Sequence, residues 1–183
     1  MTSGKLALRV TLGSLFIGHG TQKLFGWFGG HGIEGTGGFF ESLGLRPGKR
    51  HATAAGAGEA VGGALLVLGA LTPVSTVLIT GAMVTAIRKV HGSNGPWVTE
   101  KGWEYNAVII AASAALTDAG PGSPSVDSAL FPRLHGSALA VAAVAAGVAG
   151  SYLATDVFNE DAPAEAAGAE ATNGVPQPVG AAT

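Results

Sequence analysis

Five stretches of this chain are apolar over a length that could matter to a membrane: residues 6–27, 52–71, 74–90, 103–118 and 134–153. A helix needs about 20 mostly apolar residues to cross the hydrocarbon core. The first stretch, Leu6 to Trp27, has Lys5 and Arg9 ahead of its apolar core, the layout of a signal peptide. No small-residue cleavage site follows, and Thr21 to Phe25 continues the segment, so it is read as a retained helix. The second and third stretches, Ala52–Leu71 and Val74–Val90, are separated only by Thr72-Pro73. That predicts a tight hairpin, since proline is suited to the first position of a new helix. The fourth runs from Trp103 to Asp118. The fifth, Leu134 to Leu153, is uncharged and rich in Ala and Val, and is expected to span as well.

The segments between these stretches carry the turn signals and most of the charge. Residues 28–51 are Gly-rich, with Phe39, Phe40, Leu43 and Leu45 among polar neighbours. The spacing predicts a short helix lying at the membrane interface, where aromatic rings are favoured. Asn94-Gly95-Pro96 marks a turn, with Trp97 as an interfacial anchor. Gly120-Pro121-Gly122-Ser123-Pro124 ends the fourth span, and Ser125 and Asp127 complete a rigid turn there. From residue 156 to 183 the chain is acidic and rich in Ala, Pro and Gly, which predicts a disordered tail. The fold class is therefore all-α: a transmembrane four-helix domain over 1–130, a fifth hydrophobic helix over 131–155, and the tail.

Composition agrees. Charged residues make up 12% of the chain, against about 25% in soluble domains. The 30 glycines suit closely packed transmembrane helices. The basic residues form no dense patch with interleaved aromatics, so nucleic acid is not an expected partner, and the lipid bilayer is. There is no cysteine, which removes thiolate nucleophiles, disulfides and cysteine-based metal sites. The five histidines show no metal-ligand spacing, and no Ser/His/Asp constellation can be argued, so a stand-alone enzyme is not expected. Lys and Arg are denser around the 28–51 and 91–102 loops (Lys23, Arg46, Lys49, Arg50, Arg88, Lys89, Lys101) than on the other side (Lys5, Arg9, Arg133). This predicts that those loops face the cytoplasm and the N-terminus the outside.

Ionisable residues inside spans are costly and mark functional candidates. His19 lies roughly 10 Å before the end of the first span and Glu59 roughly 10 Å into the second, at a rise of 1.5 Å per residue. They are thus at similar depth on antiparallel helices. Lys23, four residues after His19, shares its face. Arg88, Lys89 and His91 close the third span at the same end, and Glu104 and Tyr105 open the fourth. All four spans thus bring polar groups to one half of the membrane. Each has a plain structural reading: Lys23 and Arg88 can snorkel to headgroups, His91 and Glu104 can be loop-edge residues, and His19 can bond a neighbouring helix. Glu59 lies in GAGEAVGG, with Gly56 and Gly63 on its face, where another helix can approach closely. Its carboxylate needs a partner, and Lys23, Arg88 or His19 is within reach. At the other end Arg9 and Asp118 are expected to pair structurally.

These motifs resemble those of the DoxX family. Arg9 with GHGTQKLFGW (residues 18–27) resembles its opening signature, GEAVGGALLVLGALTP (58–73) its second helix and hairpin, and Glu104-Tyr105 with Gly120-Pro121-Gly122, Ser125 and Asp127 its closing one. The resemblance covers residues 5 to 130 and implies a bacterial, multi-pass plasma-membrane protein. It also implies a membrane subunit linked to quinone-dependent thiosulfate oxidation or to complexes that manage oxidant and thiol stress. Quinone is the candidate cofactor, and a soluble or membrane redox enzyme the candidate partner. On that reading His19 would bond a quinone oxygen, Glu59 relay a proton and Lys23 balance charge. A small-solute transporter and a purely structural membrane protein are the alternatives, with a homo-oligomer open in each. The bundle is small and shows no inverted repeat, which argues against transport.

Overall fold

The computed structural model describes residues 3–160. Among them there is no strand, and seven α-helices follow one another: α1 (Ser3–Phe25), α2 (Gly32–Ser42), α3 (Gly48–Leu68), α4 (Thr72–Ala86), α5 (Glu104–Ala119), α6 (Val126–Leu130) and α7 (Ser137–Tyr152). The all-α reading holds. Three helical stretches are long and apolar enough to cross a membrane: Gly48–Leu68, Thr72–Asn94 and Ser137–Val157. The last of these overlaps most of the stretch expected to be a fifth span, Leu134–Leu153. Helix α1 has the length, at 23 residues, but carries Lys5, Arg9 and Lys23. Helix α5, with 16 residues, is about 24 Å long at 1.5 Å per residue.

The most extensive helix contact is between α1 and α3, and glycine makes it possible. Gly13 and Gly20 lie seven residues apart on α1, and Gly56 and Gly63 seven apart on α3, so each pair shares one face. In the antiparallel arrangement Gly13 meets Gly63 and Gly20 meets Gly56. A Cβ added at Gly20 would lie 2.5 Å from the Gly56 carbonyl oxygen and 2.5 Å from the Ala60 amide nitrogen. The two backbones therefore touch, as small residues allow in membrane helices.

Helix α4 is the hub, packing against α3, α5 and α7. It carries a hydroxyl toward each neighbour. Ser75 donates to the Gly62 carbonyl of α3 (2.7 Å), Thr76 donates to the Ser113 carbonyl of α5 (3.0 Å) and lies 2.8 Å from the Thr117 hydroxyl, and Thr85 meets Ser151 of α7 at 2.8 Å. Such bonds contribute about 0.6 kcal/mol each in a bilayer. Phe16, Leu66, Ile79 and Leu116 form the apolar core, so α1, α3, α4 and α5 share one interior.

The α3–α4 hairpin turns over residues 69–71, just before the expected Thr72-Pro73, which instead open α4. Gly69 (φ 60°) and Leu71 (φ 46°) both adopt left-handed backbone conformations. A side chain at Gly69 would run into the Arg9 guanidinium and Ser125. The strained Leu71 is held by Asp127, expected only to shape a turn after the fourth span. Its carboxylate accepts from the Leu71 amide (2.7 Å), the Thr72 amide (2.9 Å) and the Thr72 hydroxyl (2.7 Å). Asp127 thus caps the start of α4, where helix amide groups lack partners. The short helix α6, where the sequence suggested only a turn, exists to present it. Asp127→Ala should cost about 2 kcal/mol, read as unfolding in detergent, and Asp127→Asn less because one acceptor survives.

The chain end also differs from expectation. Residues 156–160, assigned to the disordered tail, are docked. Asn159 accepts from the Arg46 amide (2.6 Å) and donates to the Gly44 carbonyl (2.9 Å), and Arg50 pairs with Glu160 (2.9 Å). The basic run at 46–50 gives the acidic segment a partner that composition alone could not reveal. The rest of the acidic tail, from residue 161, lies outside the described residues.

Candidate functional site

Near the α2 end of the bundle the helices part and leave a cavity of about 480 Å³, inside the roughly 300–1,000 Å³ range of small-molecule sites. Its walls come from α1, α2, α3, α4 and α7, with Asn106 from α5. Most of the lining is apolar. Phe39, Phe40 and Leu43 of α2 form one side, and small residues of α3, α4 and α7 much of the rest.

Polar groups meet at one part of this wall. Glu59 is buried on α3, and its carboxylate lies 2.5 Å from Lys23 Nζ on α1. Of the three partners open to Glu59, Lys23 is the one it takes. The glycine contact fixes this pair, because Gly20 and Gly56 bring the helices together one turn from each partner. Lys23 is the more accessible of the two, with 23% of its side chain exposed against 8% for Glu59. His19 lines the same cavity one turn away, and its Nδ1 lies 3.1 Å from Gln22 Oε1. The Gln22 amide nitrogen donates to the Phe28 carbonyl (3.3 Å), which turns Oε1 toward the histidine. With Gln22 Oε1 as the acceptor, His19 Nδ1 is the donor of this bond.

The other expected residues divide. His91 lines the cavity, its Nδ1 2.7 Å from the Lys101 carbonyl oxygen. Arg88 points elsewhere: it donates to both Asp156 oxygens (2.9 and 2.7 Å) and to Thr155 (2.7 Å), and stacks 3.7 Å over the Tyr152 ring. It ties α4 to α7. Glu104 accepts from the Val98 amide (2.7 Å) and closes the loop before α5. Tyr105 is exposed. At the hairpin end Arg9 and Asp118 do not pair. Asp118 accepts from the Ser137 hydroxyl at 2.7 Å, while the buried Arg9 donates to the Pro124 carbonyl at 2.8 Å and sits near Asp127. The reason is the approach of α6, which brings Asp127 inward, and of α7, whose first residue meets Asp118.

Lys89, expected at this end, lines the cavity, and five polar lining residues were missing from the expected cluster: His51, Thr85, Asn106, Ser151 and Thr155. His51 precedes Glu59 by eight residues, close to one helix face, and that spacing could have pointed to it. Lys89 lies in a widened π-type turn, Ile87–His91, which rotates side chains away from the α-helical register. A second such turn, Leu153–Val157, follows α7, and Arg88 and Asp156 join the two. Turns of this kind recur at functional sites. Their positions carry no simple sequence signal.

The sequence profile of the family described as DoxX matches residues 4–92. That range holds Lys23, Glu59, His19 and the glycine contact. A protein of Bacillus subtilis (strain 168) named "Putative oxidoreductase CatD" is 32% identical over 114 residues, covering 62% of this chain and 78% of that protein. No solved structure matches the chain.

Proposed function

We propose, from the premise that this chain belongs to the DoxX family of membrane proteins, that it is a bacterial plasma-membrane subunit that holds a quinone headgroup and couples it to a redox enzyme. The observation that carries this reading is an apolar cavity whose polar groups, His19, Lys23 and Glu59, converge on one part of its wall. The oxidoreductase name of the Bacillus relative supports the redox side of the assignment.

The residues fit such a group. A quinone supplies the couple of electrons and protons, and its ring is apolar apart from its oxygens. His19 would hydrogen-bond a quinone oxygen. Lys23 would balance charge gained at the ring oxygen. Glu59 would exchange a proton with that oxygen. Phe39 and Phe40 would pack against the ring. The chain has no thiol of its own, so the sulfur or oxidant chemistry of the complex belongs to the partner enzyme. The loops with most Lys and Arg, 28–51 and 91–102, face the cytoplasm on this reading and give that enzyme its docking side.

Glu59→Gln tests it, because the amide keeps the shape and cannot carry the proton. At normal abundance the variant should lower quinone reduction in isolated membranes by about tenfold or more. Unchanged quinone reduction together with unchanged partner binding would overturn the assignment.

A further inference from the structure

The cavity does not end at its polar groups. Glu59 faces α1, but its neighbour Gly58 faces α4, where a Cβ would find only Leu78 Cδ2, at 4.0 Å. Ala54, Ala55 and Gly58 of α3 line the same cavity as Gly150 of α7 and Ala154 of the turn that follows it. At Gly150 a Cβ would meet nothing within 4 Å. Helices α3 and α7 flank α4 on two sides, and Gly81, Ala82 and Ala86 of α4 are the small residues between them. The small residues of α3, α4 and α7 thus make one part of the cavity, its outer limb, an apolar trough between stretches long and apolar enough to cross a membrane. Phe39 of α2, half exposed, lines the same cavity.

A polar-lined pocket that opens through an apolar trough among membrane-spanning helices suits a ligand with a polar head and one hydrocarbon chain. We infer that the outer limb between α3 and α7 seats the isoprenoid tail of the quinone, and that Gly58 and Gly150 set its width. The inference rests on the headgroup reading above and extends it: α7, which lies beyond the matched residues 4–92, becomes the specificity wall for the chain of the ligand. Small side chains are required there because the tail occupies the space that larger ones would fill, and it gains packing contacts there that fluid lipid does not give it.

The full chain in nanodiscs tests this with two probes, dimethoxy-methyl-benzoquinone carrying a decyl chain and the same ring without one. Compared at equal concentrations of probe in the membrane, the native protein should bind the decyl form at least about tenfold more tightly. Gly150→Leu and, independently, Gly58→Leu should remove that preference and leave the chainless ring bound as before. The two positions lie on different helices, so loss of folding in one variant leaves the other to decide. Thermal unfolding of each variant identifies such a loss. A chain preference that survives both substitutions would overturn the inference while leaving the headgroup reading intact. Binding of neither probe to the native protein would sink both. A phospholipid retained by the native protein in place of the decyl probe, and lost from Gly150→Leu, would assign the limb to an acyl chain and overturn the inference as stated.

Discussion

Lys23→Met should destabilise the protein by about 3 kcal/mol, whereas Glu59→Gln should cost only about 1 kcal/mol. The asymmetry follows from burial. Removing Lys23 strands a carboxylate that is 8% exposed, whereas removing the charge of Glu59 leaves an ammonium that is 23% exposed and long enough to snorkel. A lone buried charge must be protonated or bring water with it, and either is costly. Replacing both partners, Lys23→Met with Glu59→Leu, should recover most of the lost stability, because an apolar pair of similar volume is often no worse than a buried ion pair. Denaturant unfolding in a fixed detergent measures all three. Equal losses in the two single variants would mean that the pair is not buried as described. The double variant also separates the two roles of the pair: it should fold, yet fail to hold quinone.

The α1–α3 contact gives the second large effect. Gly20→Ala places a methyl group 2.5 Å from backbone atoms of α3, and Gly63→Ala places one 2.5 Å from the Gly13 carbonyl oxygen. Backbone in a packed helix cannot yield locally, so the helices must separate. Each substitution should cost about 3 kcal/mol, at the upper end for overpacking. Gly56→Ala should be much milder, about 1 kcal/mol, since its new methyl would meet the Leu24 and Lys23 side chains at 2.8 to 3.1 Å. Gly18→Ala should be neutral or slightly stabilising, because nothing lies within 4 Å and alanine is the better helix former. Thermal unfolding across these four variants would show the contrast. A uniform response would mean that the helices do not touch at Gly20 and Gly63.

Much of this was legible in the sequence because membrane insertion writes itself in long apolar runs. The spans at 52–71 and 134–153 sit close to α3 and α7, and Thr72-Pro73 marks the hairpin. Depth was also legible. A fixed rise per residue put His19 and Glu59 level with one another, with Lys23 one turn further along the same face, and the glycines around Glu59 announced a close neighbour. Azimuth was harder. Arg88 and Lys89 are adjacent, yet the widened turn at Ile87–His91 sends one to Asp156 and the other to the cavity. Long-range partners were harder still. Nothing near Asp127 in the chain indicates that it holds the Leu71 backbone 56 residues away. The docking of residues 156–160 likewise depends on Arg46 and Arg50, more than a hundred residues earlier.

Quinone retention is the most direct measure of the central claim. The tagged protein would be extracted from its native membrane in mild detergent and everything that travels with it quantified by mass spectrometry, beside the Lys23→Met/Glu59→Leu double variant. The cavity account predicts close to one quinone per chain in the native protein and loss of that quinone in a double variant that remains folded. A native protein that carries only bulk phospholipid, or a double variant that retains its quinone in full, would contradict it.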